Sequence, residues 1–493
     1  MPKDDVELIA ARAAAAARPF AATEPRDRSR ALVAVADALT AADDELIELA
    51  ATETGLGLPR LTGELKRTTV QLKLFAAVVL DGAYIDVRID PADPDFVLGP
   101  RPDIRRTLVP RGPVLNYAGG NFPFAFSVAG GDTAAALAAG CPVILKAHPG
   151  HPKLSERTGE LVASALAASG MPDHVFQLVF DESAAVALLT DDRIRAASFT
   201  GSLRAGRYLA DIAAARPRPI PFYGELGSVN PVFVLPSAAP DAAAIGAGFV
   251  ASFAGSAGQL CTKPGFLFVP TALAEAVLGA ATTAIESIAE QRLLTARIAE
   301  GYAARRETVL SAGGAHATAL GSVRLDDNGE SWATPTLVRT TVAGLRSAGT
   351  DLLDEAFGPL SVVVGYDESD NLAALAVEFF PGNLAATLYA APDDDSEALS
   401  ELVNVLSETS GRVLFGGWPT GVAVTPAMQH GGPWPATTGD AGTSVGTAAI
   451  GRFLRGVSYQ SAPQSLLPPQ LRDANPWHVP QSVLAIGNSA SLA

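Results

Sequence analysis

The chain has 493 residues, of which 48% are hydrophobic, 18% charged and 6% aromatic, and its formal net charge is −16. That composition excludes a disordered or fibrous chain, and the length exceeds the ~250–300 residues at which one core stops growing, so two to three lobes are expected. The acidic balance argues against nucleic acid as a partner, because such affinity comes largely from Lys and Arg neutralising phosphates.

The opening, "MPKDDVELIAARAAAAARPF", sets acidic residues ahead of an Ala-rich stretch that Arg interrupts. That is not the charge order of a secretory signal, and it predicts an amphipathic surface helix. Helical periodicity continues to about residue 80, punctuated by the turn-forming "TEPRD" and "TGLGLPR". No run reaches the ~18 consecutive apolar residues of a membrane span, so no membrane partner is expected. The two cysteines, Cys141 and Cys261, lie far apart, which predicts no disulfide framework and a cytoplasmic location. Next, "YIDVRIDPADPDFVLGPRPDIRRTLVPRGPVLNY" mixes alternating apolar residues with prolines and predicts short edge strands on an extended arm.

From 113 to 235, the apolar runs "PVLNY", "PVILKA", "HVFQLVF", "IRAASFTGS" and "NPVFVLP" alternate with helix-length segments, the rhythm of βαβ units on a parallel sheet. A second βα series follows, with "PGFLFVP", a long helix near 271–293, "LSVVVGY", "LAATLYA" and "GRVLFGG". Two α/β lobes are expected. The tail from 430, rich in Gly, Thr and Pro and ending in a strand-like run, is expected to pack on the body or on a neighbouring subunit.

Cys261 sits in the loop-like "SAGQLCTKPG". A thiol with an ordinary pKa near ~8.5 needs a polar, partly exposed setting to act as a nucleophile, and a glycine-flanked loop supplies one. The competing reading is a small buried hydrophobe, the usual state of a free cysteine. Cys141, entering the apolar "AAGCPVILK", takes that structural reading. Glu225, between two glycines in "FYGELGSVNPVFV", becomes a general base if burial raises its pKa toward neutrality. Asn121, in "NYAGGNFPFAF", either donates to a developing oxyanion or caps the helix that follows, and spacing leaves the two level. "ASFTGSLRAGRYLADIA" places Gly201, Ser202 and Gly206 where a strand turns into a helix, a setting that admits a cofactor phosphate, although it is no strict G-x-G-x-x-G. "GTSVG" (442–446) satisfies G-x-S-x-G but lacks the preceding apolar strand, and chance accounts for it among 46 glycines. "HPGH" (148–151) has no further ligands at local spacing, the other histidines being His174, His316, His430 and His478, so no metal site is expected.

In this order, "NFP" with Asn121, "ILKAHP" with Lys146, "FTGS" at 199–202, "ELG" with Glu225, "GQLC" with Cys261, "WATPTLV" at 332–338 and "EAFGPL" at 355–360 resemble the aldehyde dehydrogenase superfamily. The Asn121 and Cys261 segments and the tail "TSVGTAAIGRFLR" resemble its 2,5-dioxovalerate (α-ketoglutarate semialdehyde) dehydrogenase branch and related fatty-aldehyde dehydrogenases. The resemblance implies an α/β fold with two parallel-sheet domains and a strand arm. It assigns 1–93 and 114–226 to nucleotide binding, 227–428 to catalysis, and 94–113 with 429–475 to an arm and tail that build a homodimer or homotetramer.

Carried over, Cys261 attacks the aldehyde, Asn121 with the Cys261 N–H steadies the oxyanion, and Glu225 activates the water that hydrolyses the thioester to a carboxylic acid. The implied cofactor contacts are Tyr117, Lys146 (adenosine ribose), His148, Phe199, Gly201, Ser202, Arg204, and Glu355 with Phe357 (nicotinamide ribose and ring). Many NAD-preferring relatives place a glutamate three residues after the lysine, where it repels a 2′-phosphate. Pro149 stands there, so NADP is the expected cofactor with NAD as the alternative, and His148, Arg204 and Arg207 are candidates for the phosphate. Gly119 and Gly120 stand where many relatives have Pro-Trp, which alters the acyl pocket. The expected substrate is 2,5-dioxovalerate. The alternatives are a long-chain fatty aldehyde, a cofactor-free thiol hydrolase pairing Cys261 with a histidine, or a scaffold without turnover, which would lose Cys261, Asn121 or Glu225 and here keeps all three.

Overall fold

Four helices, Val6–Ala21, Pro25–Ala41, Asp43–Thr54 and Leu58–Asp81, open the chain in the computed structural model, which describes residues 5–487. Their ends follow local chemistry. The Asp5 carboxylate accepts the Leu8 N–H at the first, and Gly55 and Gly82 close the third and fourth in the left-handed region at φ 70° and 77°. The apolar faces of the second to fourth, with Leu32, Leu39, Leu72, Phe75 and Val79, pack on one side of a five-stranded sheet.

That sheet is parallel throughout, in the order Phe176–Val179, Val143–Lys146, Val114–Tyr117, Ala196–Thr200, Phe222–Glu225. Its strands are apolar on both faces because helices cover both. Val114, Val143 and Leu145 face the second to fourth helices, whereas Leu115, Ile144 and Ala197 face Ala10 and Ala13 of the first helix together with Leu188 and Leu209.

The second lobe is a seven-stranded sheet, in the order His316–Ala319, Thr336–Thr341, Leu360–Tyr366, Phe266–Pro270, Val232–Val234, Ala386–Tyr389, Val413–Phe415. His316–Ala319 alone among them runs antiparallel to its neighbour. Phe233, Phe266, Phe268 and Phe380 interlock on one face, and Val232, Val234, Leu267 and Val269 bury the helix Ala242–Ala254 on the other. A four-stranded sheet stands apart from both, formed by Leu454–Gln460, Ile104–Pro110, Val87–Asp90 and Gln481–Val483, so the tail completes a sheet begun near residue 87.

Two details differ from the sequence expectation. The helix near 271–293 is shorter, a turn at Thr271–Leu273 followed by Ala274–Glu286, and Gln291–Arg292 is a short strand paired with Trp332 and Ala333. The reason is Gln291, whose side chain accepts from the Ala257 N–H (2.8 Å) and donates to the Ala254 carbonyl (2.9 Å), drawing the chain toward the Cys261 loop. The segment Pro236–Gly258 does have the length and mean hydropathy (1.2) of a membrane span. Half of that window is buried inside the protein, where its helix Ala242–Ala254 packs on the seven-stranded sheet.

Candidate active site

The loop bearing Cys261 is shaped by backbone that only a few residues tolerate. After the helix Ala242–Ala254, Ser256, Ala257 and Gly258 take φ of 54°, 55° and 65°, turning the chain back toward the first lobe. A Cβ at Gly258 would lie 2.3 Å from the Gly358 carbonyl, so that position admits glycine alone. Buried Asn230 donates to the carbonyls of Cys261 (2.8 Å) and Lys263 (2.9 Å), and Gln259 accepts from the Leu294 N–H (2.9 Å). The half-buried thiol is therefore held on a fixed loop.

Glu225 ends the last strand of the five-stranded sheet, and the tail folds over it. His430 and Ser444 come from that tail, paired by the Ser444 N–H to His430 carbonyl bond and by the His430 N–H donating to Thr443 Oγ1, both 2.8 Å. His430 Nε2 lies 3.1 Å from Glu225 Oε1 and 3.7 Å from Cys261 Sγ, while the Ser444 hydroxyl donates to Glu225 Oε2. The ligand atoms of Glu225, Cys261 and His430 all fall within 4.8 Å of one another.

The electrostatics reverse one sequence expectation. Burial pushes Glu225 upward, but the His430 imidazole beside it and hydrogen bonds from His430, Ser444 and the Cys261 thiol outweigh that, leaving it below the ordinary carboxylate value. Glu225 is an ionised acceptor rather than a carboxyl tuned toward neutrality. Burial, and then the Glu225 charge and hydrogen bond, push Cys261 well above the usual thiol value, with Arg67 pulling the other way. The resting sulfur is a thiol lying within 4.8 Å of an ionised carboxylate, a group that can accept a proton.

Asn121 is no helix cap, since the next helix starts only at Gly131 with Gly130 as its cap. Its amide donates to the Gln259 carbonyl (2.9 Å), two residues before Cys261, and its own carbonyl accepts from Arg60 (2.6 Å). Asn121 and Cys261 are thus brought together across the two lobes. The buried Glu64 carboxylate fixes the Asn121 loop by accepting from the Phe124 (2.8 Å) and Ala125 (2.9 Å) N–H groups.

Tyr117, Lys146 and Phe199 lie at or next to the carboxyl ends of adjacent parallel strands. Tyr117 turns into the helical layer, its hydroxyl donating to the Ala185 carbonyl (3.0 Å) and its ring edge-on to Phe199. Lys146 is half-buried, makes no hydrogen bond or close ion pair among the described residues, and is lowered by burial. Ser202 caps the helix Leu203–Ala215, accepting from the Ala205 N–H, and the Gly201 N–H donates to the Glu225 carbonyl (3.0 Å). Arg204 is exposed on that helix's first turn, whereas Arg207 pairs with Asp211. Burial pushes His148 down to about 3, so its ring is neutral. His148 and His151 sit with ring centroids 5.5 Å apart, and no third ligand joins them among the described residues.

Glu355 and Phe357 reach the cleft from the second lobe, both half-buried. A Cβ on Gly227 would come within 2.4 Å of Glu355 Oε2. Burial lifts Glu355 to about 7 against the opposing pull of Lys263, and burial lowers Lys263 to about 8.

Sequence reasoning missed His430, Ser444 and Arg67. Ser444 belongs to the "GTSVG" run set aside as chance; it is no nucleophile elbow, but its hydroxyl holds Glu225. A polar residue in a glycine-rich tail too structured to be a linker was the available signal.

A sequence profile described as "Aldehyde dehydrogenase family" matches residues 1–439. The chain is 40% identical over 482 residues to an alpha-ketoglutaric semialdehyde dehydrogenase of Acinetobacter baylyi, covering 97% of this chain and 91% of the relative. It is 42% identical over 476 residues to alpha-ketoglutaric semialdehyde dehydrogenase 2 of Azospirillum brasilense, covering 94% and 87%. Among solved structures, an NAD-dependent aldehyde dehydrogenase from Sinorhizobium meliloti superposes with a TM-score of 0.76 at 22% identity, covering 94% of this chain and 88% of that one. That likeness speaks to the fold.

Proposed function

The chain belongs to the aldehyde dehydrogenase family, and from that premise we propose that it oxidises 2,5-dioxovalerate to 2-oxoglutarate, with NADP preferred over NAD. The observation that carries the reading is the Cys261–Glu225–His430 cluster, set where the first sheet's carboxyl edge meets the second lobe, in a chain whose near-full-length relatives act on this semialdehyde by name.

A dinucleotide fits the residues present. The half-buried Lys146 ammonium makes no hydrogen bond or close ion pair among the described residues, and the Ser202-capped helix starts at the same carboxyl edge of the sheet, two strands along, an edge that suits ribose and phosphate. Lys146, Ser202, Glu355 and Phe357 would hold the cofactor, which when bound supplies the hydride acceptor. Pro149 leaves the 2′-position without a repelling carboxylate, and Arg204, exposed and without an ion pair among the described residues, would meet a phosphate there.

The chain's own groups do the rest. Glu225 takes the thiol proton as Cys261 Sγ attacks the aldehyde carbon, and His430 and Ser444 keep that carboxylate ionised beforehand. The Asn121 amide and the Cys261 N–H steady the oxygen of the thiohemiacetal. Once the thioester has formed and Glu225 has released the thiol proton to solvent, the carboxylate, ionised again, takes a proton from water. The hydroxide so formed adds to the thioester carbon, the C–S bond breaks, the sulfur takes that proton back and the acid leaves. We read 1–93 with 114–226 as the nucleotide-binding part, 227–428 as the catalytic part, and the four-stranded sheet as the surface through which a cytoplasmic homodimer or homotetramer assembles.

His430 close to Cys261 Sγ is the one feature of a cofactor-free thiol hydrolase. Such an enzyme needs a depressed thiol, and here burial and then the Glu225 charge raise it. The test is formation of reduced nicotinamide by purified protein given NADP or NAD with 2,5-dioxovalerate, succinic semialdehyde or dodecanal. The expected result is the highest kcat/KM with 2,5-dioxovalerate and NADP, abolished in Cys261→Ala, which still binds cofactor. Preference for dodecanal overturns the substrate, preference for NAD overturns the cofactor, and silence with every pair overturns the reaction.

A further inference from the structure

Three guanidiniums surround the Asn121 and Cys261 loops, and two are engaged. Arg60 donates to the Asn121 carbonyl and lies 3.6 Å from Glu64, and Arg412 donates to the carbonyls of Gly421 and Pro419. Arg67, on the inner side of the helix Leu58–Asp81, makes no hydrogen bond and no close ion pair among the described residues, and its Nε is buried without a partner. Its guanidinium stacks on Phe126 at 5.3 Å, Phe126 lies 6.1 Å from the His430 ring, and His430 is 3.7 Å from the reacting sulfur. A half-buried cation left unpaired is costly in the empty protein. Burial lowers its pKa against the charge of Glu64, and its field reaches Cys261 and Glu225 as well.

A guanidinium offers two parallel N–H groups to a carboxylate and cannot lose its charge near neutral pH, so an unpaired one beside a nucleophile suits an anionic group carried by the substrate. Resting on the reading of the site given above, we infer that Arg67 is the specificity residue of this enzyme, receiving the carboxylate at the far end of an oxo-acid semialdehyde while the aldehyde carbon meets Cys261. Phe126 supplies the flat wall that fixes the guanidinium plane. The alternative role for Arg67 is to stabilise the Cys261 thiolate, and the two roles separate by substrate charge.

The experiment compares kcat/KM for 2,5-dioxovalerate, succinic semialdehyde and uncharged pentanal in wild type, Arg67→Met and Arg67→Lys, with the pH dependence of Cys261 alkylation as a second readout. Loss of a bidentate charge-assisted contact predicts that the acid-to-pentanal ratio falls by about 30-fold or more in Arg67→Met, mostly through KM, and by less in Arg67→Lys, which keeps the charge. An equal loss on all three substrates together with an alkaline shift of the alkylation profile overturns the inference in favour of thiolate stabilisation. An unchanged ratio in both variants overturns it outright. Wild-type protein that oxidises pentanal but neither acid overturns the substrate reading before Arg67 is altered, so the two failures are distinguishable.

Discussion

Replacing Glu225 with Gln keeps the shape of the site and removes one negative charge beside the Cys261 sulfur. The two groups are no more than 4.8 Å apart, a separation at which unit charges interact by about 3.5 kcal/mol at an effective dielectric of about 20 and by about 0.9 kcal/mol in water. Cys261 is only partly buried, so the effect lies between those limits, equivalent to roughly 0.6 to 2.5 pH units. The sign follows from the charges: Glu225 disfavours the thiolate, its removal favours it, and the imidazole of His430 left behind does not oppose the change. The iodoacetamide alkylation rate of Glu225→Gln, followed against pH, should reach its midpoint about one to two pH units lower than wild type, so the thiol becomes more reactive near neutrality. Turnover should move the opposite way if, as proposed, the same carboxylate is the base for thioester hydrolysis; a burst of reduced cofactor should persist while the steady-state rate falls by about 10²–10⁴-fold. An alkylation midpoint that stays in place or rises would refute the electrostatic reasoning, and an unchanged steady-state rate would refute the hydrolytic role.

His430→Gln removes the neighbour that contributes most to holding Glu225 down, so the Glu225 pKa rises and the acid limb of the kcat profile should move to higher pH. A limb in the wild-type position would show that His430 does not set the state of Glu225. Gly227→Ala places a methyl where Glu355 Oε2 now lies, and because that atom ends a flexible side chain, the carboxylate rather than the fold should give way. If Glu355 holds the nicotinamide ribose, the cofactor Kd measured by calorimetry rises about tenfold, the cost of one charge-assisted hydrogen bond; an unaltered Kd rejects that contact.

The alternation of strands and helices was legible because parallel strands buried on both faces, such as 143–146 and 266–270, stand out as uninterrupted apolar runs between helical segments. Cys261, Glu225 and Asn121 stood out as candidates because each lies within three residues of a glycine at or just beyond the end of an element, and the structure brings the three close together. His430 and Ser444 were not, because their function depends on the tail crossing some two hundred residues of sequence to lie on Glu225, a contact that no local spacing encodes. The pKa of Glu225 failed for the same reason: burial alone raises a carboxyl, and its direction here is decided by two partners that only the tertiary fold delivers. Arg67 was invisible in the opposite sense, since a lone arginine in an amphipathic helix reads as solvated surface until its neighbours show that it faces inward with no close ion pair among the described residues. What local sequence conveys, then, is where a reactive group can stand, while the long-range contacts of the fold decide its protonation state and the charge of the substrate it meets.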